Sequence, residues 1–431
     1  MRIDIDADGA IARITPGSPS GDATLLQGPV IPGMPNVHSH AFQRALAGRA
    51  ERRISGNDSF WTWRGAMYGL AARISPADLE AIAAHLYVEM LEAGYTAVGE
   101  FHYVHHAIDG QPYARRSEMA QRLLAAAAAA GIGMTLLPVF YRWSGLGKTP
   151  PLPEQARFVN DLDGFLTLFD ELAPLCGGPD RRLGIAPHSL RAVGGEDLRA
   201  VVAALDERDP EAPIHIHVAE QEAEVGAVLA AYGRRPVEWL SEHVRLSGRW
   251  CLVHATHVDA AEIDALAASG AVVGLCATTE ANLGDGIFPL AAWEAAGGAS
   301  AIGSDSHVSV DVAEEVRWLE YGQRLHGRGR TVSASPHALY VATARGGGRA
   351  LGRPIGTLAA GARADFVVLD ADDPALYGEL ETILDRYVVA AGRRAVRDVY
   401  VGGVRVVESG RHPRRAAIAQ RYRAVLAKLL G

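Results

Sequence analysis

The chain has 431 residues, 48% of them hydrophobic and 21% charged, the composition of a folded globular protein with ample material for a core. A net charge of −8 weighs against nucleic acid and anionic membrane surfaces as partners. Three scattered cysteines, Cys176, Cys251 and Cys276, exclude a disulfide framework and a CxxC metal site, and each is expected as a buried thiol.

The opening MRIDIDADGA carries acids where a secretory signal carries bases followed by an apolar stretch. No apolar run approaches the ~20 residues that span a bilayer. The expectation is a soluble, cytoplasmic protein with neither a membrane nor a nucleic acid as partner. Residues 1–30 then hold short alternating runs such as AIARITPG, which read as β-strands.

From residue 31 a different pattern sets in. Short apolar stretches end in polar residues, and a helical stretch leads from each to the next. The stretches are PVIPGMPNVHSH, YTAVGEFHYVHH, GMTLLPVFY, RLGIAPHSL, APIHIHVAEQ, RWCLVHATHVD, AVVGLCATTE and ASAIGSDSH. Continuous apolar runs that alternate with helices indicate buried parallel strands, and eight of them suffice for a (β/α)8 TIM-type barrel. Among the helices, Ser75-Pro76 supplies an N-cap and a proline in the first turn ahead of a run ending at Gly94. The stretch SEMAQRLLAAAAAAG closes at Gly131, its six alanines being strong helix formers. Further helices are expected in EDLRAVVAALDERD, AAEIDALAASG and DVAEEVRWLEYGQRL. Beyond the barrel, GTLAAGARADFVVLDADDP and VRDVYVGGVRVVESGR return to period-two alternation with glycine turns. The expected fold class is therefore α/β. A barrel over 31–354 is inserted into a small β-sandwich domain built from 1–30 plus 355–431, with a C-terminal helix. The barrel exterior leaves room for a homodimer.

In such a barrel the C-terminal ends of the strands face the active site. The first strand ends in His38-Ser39-His40, whose imidazoles share a face because residues i and i+2 do so in a strand. The fifth ends in His215-Ile216-His217 with Glu220 following, the sixth carries His254, and the eighth ends in Asp305. Imidazole and carboxylate together suit Zn2+ or Fe2+, and an open position for water on such a metal suits hydrolysis.

These residues carry a resemblance. PGMPNVHSH, HVAEQ, LVHATHVD and IGSDSH resemble the metal motifs of the amidohydrolase superfamily, and GTLAAGARADFVVLD is similar to its C-terminal β-domain signature. The resemblance implies a metal held by His38, His40, His217 and Asp305. It further implies Glu220 as proton shuttle and His254 as partner to the hydrolytic water or the substrate, with Asp305 also taking part in catalysis. Many members bridge two metals with a carboxylated lysine at the end of strand four. Here that strand ends in APHSLRAV, and the only lysines are Lys148 and Lys428, so one metal is expected, zinc first and Fe2+ second.

Within the superfamily, HSHAFQRALAG, FWTWRGAMY, GEFHYVHH and APHSLRAV are similar to the branch that acts on N-formimino-L-glutamate in histidine degradation. That similarity implies hydrolytic deimination of this dicarboxylate to N-formyl-L-glutamate and ammonia. It gives substrate roles to Gln43, Arg64, Tyr103, His188 and Arg191. Both arginines can pair bidentately with a carboxylate. His102, His105, His106, His257 and His307 also fall near strand ends and are expected in supporting roles. The stretch ahead of His38 is short for this branch, so a trimmed first part of the β domain is expected. Two alternatives stay open: a mononuclear deaminase of the same superfamily acting on a nucleobase-like ring, and an inactive barrel used as a binding protein.

Overall fold

A computed structural model describes residues 1–19, 21–51, 60–330 and 335–431, the side chains of Phe60 and Trp61 lying outside the described set. At the N-terminus, β1 (Arg2–Ile5) and β2 (Ile11–Thr15) form an antiparallel pair. The next strand, β3 (Val30–Pro32), pairs with residues from the far end of the chain, as set out below.

The middle of the chain supplies parallel strands that alternate with helices, except that two short strands follow one another in the fourth position. They are β4 (Met34–Ser39), β5 (Tyr95–His102), β6 (Gly133–Phe140), β7 (Arg181–Leu183) and β8 (Ala186–Pro187), then β9 (Ile214–Val218), β10 (Trp250–His254), β11 (Val272–Leu275) and β12 (Ala299–Ile302). They pair in the orders β4-β5-β6-β7, with β8 also on β6, and β9-β10-β11-β12. Parallel bridges Ile185 to Ile214 and Ser189 to His217 join the two sheets at one edge, and Ser39 to Asp305 joins them at the other. This α/β arrangement fits a TIM-type barrel. All eight apolar stretches of the sequence appear in it, and the three cysteines are buried as expected.

The fourth stretch, RLGIAPHSL, is broken into β7 and β8. The backbone changes partner between them: Gly184 N–H donates to Leu136 of β6, while Ile185 N–H donates to Pro213 beside β9. Pro187 then withholds a donor from the ladder.

Helices cover the strands with the expected caps. Ser75 accepts from Asp78 N–H while the Asp78 carboxylate takes the Ser75 N–H, and Gly94 and Gly131 adopt φ of 93° and 80° past the ends of their helices. The helix Pro336–Ala350 carries three consecutive glycines, Gly346, Gly347 and Gly348, at a cost of about 1 kcal/mol each relative to alanine. Close packing explains them. A methyl on Gly346 would overlap the Ser300 carbonyl of β12, one on Gly347 would press on Pro35 of β4, and one on Gly348 would overlap the Ile355 carbonyl.

At the far end, β13 (Phe366–Leu369), β14 (Val396–Val401) and β15 (Val404–Val407) form an antiparallel sheet in the order β15-β14-β13-β3. Both termini thus contribute to one sheet, and a bridge from Ala10 to Arg363 ties in the β1–β2 pair. The C-terminal helix Arg415–Leu430 returns to the helix Pro76–Glu92, where Lys428 Nζ meets the Asp78 carboxylate at 2.6 Å. No described helix is long and apolar enough to cross a membrane.

Candidate active site

The parallel strands bring their polar ends together. His38 is the penultimate residue of β4, His217 lies on β9, His254 closes β10, and Asp305 follows β12 by three residues. Two of these residues leave ordinary backbone geometry: His254 has φ of 67° and Asp305 has φ of 43°. Left-handed conformations at residues other than glycine gather at sites where the surroundings impose them. His215 shares a face with His217 but lies lower on the strand and donates to the Ala350 carbonyl at 2.8 Å.

His40 Nδ1–H donates to the Phe101 carbonyl at 2.8 Å, and His217 Nδ1–H donates to the His188 carbonyl at 3.1 Å. Their Nε2 atoms therefore carry lone pairs. These point at His38 Nε2 from 3.1 and 3.0 Å, and Asp305 Oδ1 stands 3.3 Å from Nε2 of both His38 and His40. Burial lowers the pKa of His38 to about 3, so protonation does not relieve the crowding. Donors at the corners of a tetrahedral zinc site, with bonds of about 2.0–2.1 Å, lie about 3.3 Å apart. The donor types fit a divalent cation: the possible ligand atoms of His38, His40 and Asp305 form one close group, and those of His38, His217 and His254 another. The second ring nitrogens of His40 and His217 are held by backbone carbonyls, as metal-ligating imidazoles require.

Next to this cluster, His254 Nε2 stands 3.7 Å from Glu220 Oε1 and 4.0 Å from Asp305 Oδ2, while its Nδ1 meets Glu280 Oε1 at 3.2 Å. Burial disfavours charge on His254, but Glu220, Glu280 and Asp305 outweigh it and push the pKa up to about 10. Burial raises Glu220 above the usual carboxylate range, against the opposing pull of His254 and Arg191. A raised carboxylic acid facing a charged imidazole suits a group that must take up and give back a proton near neutral pH. Asp305 is held below its ordinary range: burial opposes its charge, but His38, His40 and His254 prevail.

A cavity opens onto these groups. His40, His217, Glu220, His254 and Asp305 line its inner end, and Gln43, Arg64, Tyr103, His188 and Arg191 line the rest. Of the site residues expected from sequence, only His38 does not line it, being wholly buried behind His40 and His217. Gln43 Nε2 donates to the Tyr103 hydroxyl at 2.8 Å, and its buried carbonyl oxygen has no partner among the described residues. Arg64 Nε donates to the Tyr68 hydroxyl at 2.7 Å. Arg191 makes no hydrogen bond or ion pair among the described residues. Burial opposes its charge, yet Glu224 and Glu220 sustain it.

The structure also shows groups that the motifs do not mark. Trp63, Tyr68, Tyr141 and Phe158 form an aromatic wall to the cavity. Glu100, on β5, accepts from Ser39 Oγ at 2.6 Å, Ala41 N–H at 2.8 Å and the Tyr87 hydroxyl at 3.0 Å, and so braces the turn that carries His40. Glu280, behind His254, follows β11 in the stretch CATTE, where a lone acid closing an apolar run was the available signal. The supporting histidines divide. His105, His106 and His257 donate to backbone carbonyls, His307 meets Ser39 and Ser304, and buried His102 has a ring nitrogen without a partner.

Comparison with known proteins extends these findings. Residues 30–406 match the model of the Amidohydrolase family. A formimidoylglutamate deiminase of Pseudomonas aeruginosa is 51% identical over 437 residues, covering 100% of this chain and 96% of the relative. The crystal structure of an amidohydrolase from Brucella melitensis superimposes with a TM-score of 0.94 at 46% identity, covering 100% of this chain and 96% of that one. An adenosine deaminase from Xanthomonas campestris with bound zinc shares the fold at a TM-score of 0.81 and 22% identity, over 98% of this chain and 92% of its own.

Proposed function

The chain belongs to the amidohydrolase family, and from that membership we propose that it hydrolyses N-formimino-L-glutamate to N-formyl-L-glutamate and ammonia, a step of histidine degradation. It does so on a (β/α)8 barrel over 31–354, beside a β-sandwich domain from 1–30 and 355–431. His38, His40, His217 and Asp305 hold one divalent metal, zinc in the first instance. When bound, such a metal supplies water acidic enough to act as a nucleophile near neutral pH.

The protein's own groups do the rest. Glu220 takes a proton from the attacking water and returns it to the imino nitrogen, which leaves as ammonia. His254, charged between Glu220, Glu280 and Asp305, orients the water and faces the negative charge on its attacking oxygen. The formimino group carries positive charge and suits the acidic inner end of the cavity. The two carboxylates of the substrate suit Arg64 and Arg191 on the wall of the same cavity. Gln43, Tyr103 and His188 offer neutral hydrogen-bonding groups there as well.

Arg191 carries this reading: a guanidinium without a hydrogen-bonded or ion-paired partner on a cavity wall is prepared for an anion. The plainer alternative is that it merely offsets the charge of Glu220 and Glu224. Breaking a charge-assisted bond in a largely desolvated site costs ~2–5 kcal/mol, part of it from the partner left unpaired. Arg191→Ala should therefore lower kcat/KM for formiminoglutamate by ~30-fold or more, with metal content unchanged. An analogue lacking the α-carboxylate should be a poor substrate for the wild type and should lose much less on replacement of one of the two arginines. Normal turnover of formiminoglutamate by both Arg64 and Arg191 variants would refute this recognition scheme.

The aromatic wall favours one rival, a deaminase that stacks a flat nucleobase-like ring against Tyr68, Tyr141 or Phe158. Such a ring brings no anion to the Arg191 guanidinium, so the dicarboxylate is preferred.

A further inference from the structure

The buried acid Glu280 is one of three that hold charge on His254. Glu280 does not line the cavity, although Leu283 of the same short helix, Ala277–Leu283, does. Its side chain is 5% exposed, and a single oxygen, Oε1, accepts two hydrogen bonds: Cys276 N–H at 3.0 Å and His254 Nδ1–H at 3.2 Å. The first bond anchors the carboxylate to the backbone at the end of β11. The second reaches across to the last residue of β10.

His254 needs such an anchor. Its backbone is left-handed, and Ala255 follows with φ of 49°, so the side chain leaves the strand on an irregular turn. The ring stacks on His217 with centroids 5.6 Å apart and planes 13° from parallel. Stacking fixes the plane of an imidazole but not which edge faces which way. A half-turn about the Cβ–Cγ bond keeps the plane and exchanges Nδ1 with a carbon. Among the described residues, Glu280 is the hydrogen-bond partner of Nδ1, and it thereby selects the orientation that turns Nε2 toward Glu220 and Asp305.

We propose that Glu280 is a positioning residue that fixes the orientation of the His254 imidazole toward Glu220, and so acts on the reaction without touching the substrate. The inference rests on the hydrolytic reading given above. It concerns the place of an oxygen atom rather than the presence of a charge, and this distinction makes it testable.

Two replacements of similar length separate the alternatives. Glu280→Gln keeps a carbonyl oxygen able to accept both bonds, whereas Glu280→Met fills the same space with no comparable acceptor. With formiminoglutamate as substrate, Glu280→Gln should keep kcat within about tenfold of wild type and Glu280→Met should lose about 100-fold or more, KM staying within about threefold in both. Metal per chain should not change. Histidine labelled with 15N gives a second reading independent of the substrate. A downfield Nδ1–H resonance that disappears in His254→Ala should be present in the wild type and Glu280→Gln, and absent in Glu280→Met.

A Glu280→Met enzyme with wild-type kcat, or one whose loss follows a loss of metal, overturns the proposal. So does a Glu280→Gln enzyme as impaired as Glu280→Met with its metal in place, since charge and not position is then what matters. If Glu280→Met does not fold, a Glu280→Gln enzyme that keeps its metal but loses more than about tenfold in kcat overturns the proposal by itself. A wild type inactive on formiminoglutamate that still shows the resonance pattern refutes the substrate reading and leaves the positioning role standing.

Discussion

Glu220→Gln should keep its metal and its fold and lose nearly all turnover. The amide is close to isosteric, so the position beside His254 Nε2, 3.7 Å from Oε1 in the wild type, stays filled. What disappears is the ability to take a proton from water and return it to the departing nitrogen. General acid–base help of this kind is typically worth ~10²–10⁴-fold. In the proposed mechanism one group serves both halves of the reaction, so the expected loss in kcat lies at the upper end of that range. KM should move little if the arginines carry most of the binding. Elemental analysis alongside steady-state kinetics checks both statements, and a variant with normal metal content and near-normal kcat would remove Glu220 from the mechanism.

The second large effect is expected at the donor cluster. His217 Nε2 faces His38 Nε2 at 3.0 Å, and its Nδ1–H is fixed by the His188 carbonyl. In the proposed metal site, removing this imidazole takes away one of four donors. Ligands act as a set, because each is placed by its own backbone or side-chain partner. His217→Ala should fall from about one divalent metal per chain to near none and lose activity in proportion, whereas Glu220→Gln loses activity alone. The contrast between the two variants separates holding the metal from moving the proton. Two metals per active wild-type chain would overturn the single-metal assignment, which draws on the lack of any lysine at the end of strand four.

Much of this site could be read in the sequence because barrel geometry turns position along the chain into position in space. An apolar run followed by a polar residue places that residue at a strand end, and eight such ends point to one cavity. His38, His40, His217, Glu220, His254 and Asp305 were legible on that basis, and the resemblance supplied their grouping. The parallel strands were legible for the same reason, since both faces are buried and their runs are continuously apolar.

Other features were hidden for physical reasons. Glu100 lies within an apolar strand and earns its place by three hydrogen bonds from groups distant in sequence, which no local pattern reveals. Glu280 depends on a contact between neighbouring strands and on the left-handed backbone at His254, which sequence does not announce at residues other than glycine. The aromatic wall joins the helix Phe60–Ala71 with Tyr141 and Phe158, and only the fold brings them together. The break between β7 and β8 turns on a change of hydrogen-bonding partner at Gly184 and Ile185, although Pro187 was a visible warning.

The central claim is the reaction itself, and an ammonia assay tests it most directly. Purified, metal-replete protein is given N-formimino-L-glutamate, guanine, cytosine or adenosine separately, and ammonia is measured together with the organic product. The account predicts rapid ammonia release from N-formimino-L-glutamate alone, with one equivalent of N-formyl-L-glutamate formed for each ammonia. Ammonia released from one of the ring substrates, with none from formiminoglutamate, would contradict it.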